Sequence, residues 1–159
     1  LPTFFLLIVA ASLFGRGVLN IMLIIGFLGW TGKARLVRGQ VLSLKELDYI
    51  LAARAIGASS TCIVFWHIAP NCFATYLIMA TYYLGFAIII EASLSFLGVG
   101  SPPDVPSWGG MLTRASQEHL KTAPWVGIFP GLAIFVVVLG FNLLGDGLRD
   151  LLDPTTYPR

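Results

Sequence analysis

Long apolar runs separated by short polar connections form the main pattern of this sequence. Four runs stand out, at residues 3–14, 18–30, 61–90 and 123–144. The second run reaches residue 38 when the amphipathic segment KARLVRGQ is included, because its lysine and arginine side chains can extend to the membrane interface. A helix that spans a bilayer needs about 20 residues. The pattern therefore predicts four spans, at about 3–14, 18–38, 61–90 and 123–144, with the first one short and a hairpin turn at Gly15, Arg16 and Gly17.

A polar stretch between the second and third runs has the features of a separate short helix. Ser43 and Glu46 fit the S-x-x-E capping box, which satisfies free amide donors at a helix start, and Gly57 is a natural stop. We therefore predict a helix over residues 44–56. Its apolar residues form two adjoining strips: Tyr49, Ala52, Ala53 and Ile56 make one, and Leu47, Ile50 and Leu51 make the other.

Two apolar strips on one short helix suggest two contacts. One strip would face the membrane helices, and the other, small at Ala52 and Ala53, would let the backbone of a partner protein approach closely. A helix that lies on the lipid headgroups explains the same periodicity equally well, so both interpretations stay open.

Two residues inside the third run also stand out. Pro70 removes one helical hydrogen bond and is expected to kink the helix, with Asn71 available to satisfy a freed backbone group. Glu91 ends the run near the outer boundary, where an ionisable side chain that faces lipid is costly. Glu91 is therefore expected to face either a translocation path or a partner, although a carboxylate that reaches interface water is an equal alternative.

Composition supports a membrane protein and excludes several other classes. The chain is 57% hydrophobic and only 11% charged, with a mean hydropathy of +0.84. The net charge of +2 and the lack of a dense basic stripe argue against nucleic acid as a partner. Neither a phosphate-binding loop nor a hydrolase motif is apparent, so we expect a protein that is not an enzyme and holds no cofactor. Cys62 and Cys72 have no Cys or His cluster around them, so no metal site is predicted.

The distribution of basic residues predicts the orientation in the membrane. The connection between the second and third runs carries Lys33, Arg35, Arg38, Lys45 and Arg54, whereas the connection after the third run carries only Arg114 and Lys121. The positive-inside rule places the first connection, and with it the predicted short helix, in the cytoplasm.

The stretch DYILAARAIGA, followed by HIAPN, resembles the EAA loop of inner-membrane permeases of binding-protein-dependent ABC transporters. Ala52, Ala53, Gly57 and Pro70 match the pattern of that loop at its spacing. Three positions depart from it: Leu51 stands in place of a glutamate, His67 in place of an isoleucine, and Ala69 in place of a leucine. The segments EASLSFLGVG, PSWGGML and FNLLGDGLRDLLDP are similar to the dipeptide, oligopeptide and nickel permease subfamily, so the resemblance covers essentially the whole chain.

The resemblance implies an all-α, polytopic membrane protein with the transmembrane fold of a type I ABC importer. Residues 1–159 would be the C-terminal part of one transmembrane domain that lacks its beginning. The protein would lie in the inner (plasma) membrane of a bacterium or archaeon.

The predicted short helix would be the coupling helix that docks on an ATPase, through Tyr49, Ala52, Ala53, Arg54 and Gly57. The implied partners are the lipid bilayer, a second permease subunit, two cytoplasmic ATP-binding subunits and an extracytoplasmic binding protein. The expected cargo is a di- or oligopeptide, with nickel or another solute still open. The alternative function is a secondary transporter or channel that works alone.

Overall fold

The computed structural model describes residues 3–119 and 122–152, and these residues are almost entirely helical. Lys121, which we predicted as an outer charge, lies outside them. The helices are α1 (Thr3–Phe14), α2 (Val18–Leu44), α3 (Asp48–Ala55), α4 (Ser60–Phe96), α5 (Trp108–Arg114) and α6 (Trp125–Leu152). A π-helical segment, Ile63–Ile68, lies inside α4, and a second one, Ala115–His119, continues α5.

The four predicted spans correspond to α1, α2, α4 and α6. Helices α4 and α6 are each long and apolar enough to cross a membrane. Helix α1 is apolar but has only 12 residues. Helix α2 has 27 residues, with basic side chains in its C-terminal half. By length and composition, the structure thus supports two of the spans, and the first two stay predictions.

The turn between α1 and α2 is formed as predicted. Gly15 has a φ of +85°, a left-handed conformation that favours glycine. The side chain of Asn20 donates to the carbonyl oxygen of Phe14 at 3.0 Å and so ties the start of α2 to the end of α1. The two helices form a hairpin whose inner faces supply Leu7 and Ile21 to a buried cluster.

Two apolar clusters hold the helices together at different levels. The first joins α1, α2 and the C-terminal end of α4, through Leu7, Ile21, Ile25, Ile90 and Leu94. The second joins α3 to the start of α4, through Ile50, Ala53, Ile63, Ile68 and Cys72. The first cluster fixes the hairpin beside α4, and the second attaches the short helix to the opposite end of α4.

Pro70 is accommodated by the π-helical segment that directly precedes it. The amide of Ala69 donates to the carbonyl oxygen of Val64, five residues back. The side chain of Asn71 donates to the carbonyl oxygen of His67 at 2.6 Å. The carbonyl group that an α-helical bond from residue 70 would reach belongs to Trp66, so the predicted role of Asn71 stays a prediction. Wider π-helical turns are a known response to a residue that cannot continue the α-helical bonding pattern. Helix α4 therefore passes the proline without ending.

Candidate functional site

The candidate coupling helix α3 is shorter than the predicted helix over residues 44–56. It comprises eight residues, Asp48–Ala55, and is about 12 Å long. The predicted capping box is wrong: Ser43 belongs to α2, where its hydroxyl donates to the carbonyl oxygen of Gly39 at 3.3 Å. Helix α2 continues to Leu44, because Val41 and Leu44 pack against the buried cluster below α4. Asp48 lies instead in the first turn of α3, where a carboxylate interacts favourably with the helix dipole.

The predicted stop at Gly57 is confirmed. Its φ is +86°, and its amide donates to the carbonyl oxygen of Arg54 at 3.0 Å. The next amide, of Ala58, donates to the carbonyl oxygen of Ala53 at 3.0 Å. This pair of bonds is a Schellman motif, which satisfies the last carbonyl groups of a helix and reverses the chain. Ser59 then caps α4 by accepting from the amide of Cys62 at 3.3 Å. The connection from α3 to α4 is thus short and held by hydrogen bonds at both of its ends.

Helix α3 has one buried face and one exposed face. Ile50 is completely buried and Ala53 is 9% exposed, and both pack against the start of α4. Among the residues on the other side, Tyr49 is 44% exposed, Leu51 48% and Ile56 87%. Ala52, Arg54 and Gly57 are also exposed. The structure therefore separates the two alanines: Ala52 is open to a partner, whereas Ala53 faces inwards.

The exposed face of α3 meets the π-helical segment of α4 at one edge. The rings of Tyr49 and His67 lie with their centroids 6.3 Å apart and their planes tilted by 58°. Ile63 and Ile68 of the same segment pack under Ile50 on the buried side. Both faces of α3 are thus connected to the part of α4 that accommodates Pro70.

At the other end of α4, Glu91 belongs to a small polar cluster. Its Oε1 atom accepts hydrogen bonds from the hydroxyl groups of Ser95 at 2.7 Å and of Ser101 at 2.9 Å. The Ser95 hydroxyl oxygen also accepts from the amide of Ser101 at 2.9 Å. Glu91 is half-buried and lines a cavity of about 650 Å³. The structure does not bring Glu91 near the residues predicted to dock on an ATPase.

Sequence reasoning missed the polar contacts between α4 and its neighbours. The Tyr83 hydroxyl donates to the carbonyl oxygen of Ile25 at 2.8 Å, and the amino group of Lys33 lies 2.9 Å from the centre of the Tyr83 ring. A side chain at Gly29 would overlap the Tyr83 hydroxyl. Glycine within an apolar helix is a known sign of close approach by another helix, and this signal was available at Gly29.

A second missed contact joins α4 to α6. The Tyr82 hydroxyl donates to Asp146, and a side chain at Gly145 would lie against Thr81 and Tyr82. Gly85 likewise lies against Val138 of α6. These contacts join residues that are far apart in sequence. In the sequence, the small residues are the one sign that two helices approach closely there.

Over residues 1–156 the sequence matches the family described as binding-protein-dependent transport system inner membrane component. A match of this extent shows that the chain belongs to this family. The family assignment confirms the predicted all-helical fold of a type I ABC importer permease and the predicted location in the inner membrane.

Among the relatives is the glutathione transport system permease protein GsiD. The chain is 46% identical to the protein of that name from Pectobacterium atrosepticum over 153 residues, which are 96% of this chain and 50% of the relative. The identity is also 46%, with the same coverage, for the protein from Salmonella typhimurium, and 45% for that from Escherichia coli O1:K1. The chain thus spans about half the length of these relatives. All three are named permeases, which supports the prediction of a transport subunit rather than an enzyme.

Proposed function

We propose that this chain forms the C-terminal part of a permease subunit in an ATP-driven importer of small peptide-like solutes. The observation that carries the proposal is the division of α3 into a buried face and an exposed apolar face. A short helix fixed in this way can receive force from a partner and pass it to the membrane helices.

Attachment to α4 makes α3 suitable for transmitting movement. Ile50 and Ala53 are buried against Ile63 and Ile68, and the Schellman motif at Gly57 fixes the chain that follows. Packed interfaces of this kind move as units instead of deforming continuously. When an ATPase pair closes, a docked α3 would therefore carry the base of α4 with it. ATP shifts the equilibrium only if α3 and the ATPase fit each other differently in the two states.

The exposed face of α3 is suited to contact with a protein. Tyr49, Leu51 and Ile56 present apolar surface, and Ala52 between them leaves room for a neighbouring backbone. Arg54 adds a charge on the same side. Leu51 stands where the EAA pattern has a glutamate, so an apolar contact would replace a polar one at this point. A helix that only floated on headgroups would not need such a small residue at the centre of its exposed face.

The names of the relatives guide the proposed substrate class. Three relatives are named as glutathione permeases, and glutathione is itself a small peptide derivative. We therefore propose a peptide-like cargo, which includes both glutathione and the di- or oligopeptides expected from the sequence. The proposed partners are a second permease subunit, two ATP-binding subunits and an external binding protein. Membership of a binding-protein-dependent family favours this assembly over a transporter that works alone.

The test is uptake into proteoliposomes that contain the full-length permease with its partner subunits. Labelled glutathione and dialanine serve as substrates, with the binding protein present on the outer side. The proposal predicts uptake of at least one of them that requires both ATP and the binding protein. Uptake by the purified permease alone, driven by a proton or sodium gradient, would establish the alternative function instead.

A further inference from the structure

A cavity of about 650 Å³ lies between α2, α4, α5 and α6 at the end of the protein opposite α3. Its walls are mostly apolar and include aromatic rings. The apolar side chains that line it include Ile21, Met22, Leu84, Trp108, Met111 and Phe141. Glu91 is the one carboxylate that lines it within the described residues. Binding sites for small molecules commonly combine apolar walls with a few fixed polar groups in this way.

The carboxylate of Glu91 is held in one orientation and keeps one oxygen available. Ser95 and Ser101 both donate to Oε1. Oε2 has no hydrogen-bond partner in the described part of the chain. An unpartnered side-chain oxygen that is also buried occurs in residues 3–119 and 122–152 at Oε1 of Gln40. Oε2 of Glu91 is not such an atom, so it has some contact with solvent. The free oxygen of Glu91 is therefore accessible.

The charge of Glu91 has no counter-ion in residues 3–119 and 122–152, where no lysine or arginine forms an ion pair with it. A carboxylate beside apolar walls is stabilised by a cation that enters the cavity. The described residues contain no group of three His, Cys, Asp or Glu side chains that could hold a metal ion. One carboxylate oxygen next to apolar surface is better suited to an ammonium group, which donates hydrogen bonds while its carbon framework contacts the walls.

We propose that this cavity binds the protonated amino group of the cargo, with Glu91 as its acceptor and Ser95 and Ser101 as positioning residues. The inference rests on the proposed function, because it names the feature of a peptide-like cargo that the permease itself recognises. Trp108 and Met111 would contact the side chain next to that amino group. The site would recognise a primary amine on a small body and would disfavour the same molecule with its amine acetylated.

Binding can be measured on the assembled transporter in nanodiscs by fluorine NMR, with fluorotryptophan incorporated at position 108. The probes are dialanine and N-acetyl-dialanine. The key variant is Glu91→Gln, because its amide oxygen can still accept from both serines while the charge is lost. Ser101→Ala tests the positioning role. Ser93→Ala is the matched control, since this hydroxyl is also on α4, does not line the cavity and donates only to the carbonyl oxygen of Ile89.

We expect dialanine to shift the fluorine signal of the wild-type protein, and Glu91→Gln to raise its Kd at least about tenfold, as for the loss of a charge-assisted hydrogen bond. Ser93→Ala should leave the Kd unchanged, and N-acetyl-dialanine should bind wild type and Glu91→Gln alike and weakly. Equal binding of dialanine to wild type and Glu91→Gln would overturn the proposal. The proposal would also be overturned if Glu91→Gln and Ser101→Ala weakened dialanine binding equally and both altered the ligand-free spectrum. That result would assign Glu91 a purely structural role.

The two proposals fail separately in this design. Absence of ATP-dependent uptake would refute the proposed function while leaving the binding measurement intact. Normal uptake of dialanine by the Glu91→Gln transporter, with unchanged Kd, would refute the amine site while leaving the importer function in place.

Discussion

Removing the side chain of Ile50 should detach α3 from α4 without unfolding the membrane helices. Ile50 is completely buried at the centre of the cluster that joins α3 to α4. We predict that Ile50→Ala weakens this attachment, because the neighbouring Ile63 and Ile68 belong to a continuous helix and cannot move in to fill the space. Leu51→Ala provides the control, since Leu51 is the adjacent residue and is 48% exposed.

The size of the effect follows from the burial of Ile50. Truncation of a fully buried isoleucine to alanine typically costs about 2–5 kcal/mol, from lost transfer free energy and the cavity left behind. At about 1.4 kcal/mol for each factor of ten, the population of the detached state should rise at least about 25-fold. Substitution of an exposed residue such as Leu51 typically changes stability by no more than about 0.5 kcal/mol.

Hydrogen exchange followed by mass spectrometry on the full-length permease in nanodiscs measures this detachment directly. Amide hydrogens of α3 exchange when the helix leaves its site, so their rates report the local free energy of opening. We expect peptides covering residues 48–55 to exchange at least about 25-fold faster in Ile50→Ala, with peptides from α6 unchanged. If Ile50→Ala and Leu51→Ala gave the same small change, the assignment of the buried face would be refuted.

Two further substitutions test other parts of the structure. Gly57→Ala forces an alanine into a left-handed conformation and should lower the free energy that holds α3 in place by about 1–2 kcal/mol. This change should be seen as faster hydrogen exchange in residues 48–55. Unchanged exchange would contradict the role of the Schellman motif. Gly109→Val places a side chain on the carbonyl oxygen of Ala92 and should separate α5 from α4, lowering the Tm of the solubilised protein by several degrees. Gly131→Ala in α6, where a Cβ meets nothing within 4 Å, is its control and should leave the Tm unchanged or slightly raised. Equal Tm values for the two variants would show that α5 does not depend on this close approach.

Local chemistry made several features predictable from sequence. Gly15 and Gly57 adopt the left-handed conformations expected at a hairpin turn and a helix end. The side chain of Asn71 bonds to the carbonyl oxygen of His67, four residues earlier in the same helix. Each of these depends on residues a few positions apart, where the bonding needs of the backbone leave few solutions.

The errors arose where packing between distant residues decides the outcome. Ser43 and Glu46 have the spacing of a capping box. Helix α2 nevertheless continues to Leu44, because the side chain of Leu44 packs against the buried cluster under α4. The periodicity of α3 separated two apolar strips without indicating which one faces inwards, and Ala53 was therefore grouped with the exposed residues. The bond between Tyr83 and Ile25 joins residues 58 positions apart, a relation that no local pattern encodes.

Site-specific photocrosslinking tests the coupling role of α3 most directly. A benzoylphenylalanine at Ile56, which is 87% exposed on α3, should crosslink to an ATP-binding subunit in the assembled transporter, and one at Leu13, which is 78% exposed near the turn between α1 and α2, should not. Crosslinks from position 56 to lipid alone, or to a protein on the extracytoplasmic side, would contradict the proposed docking of this helix.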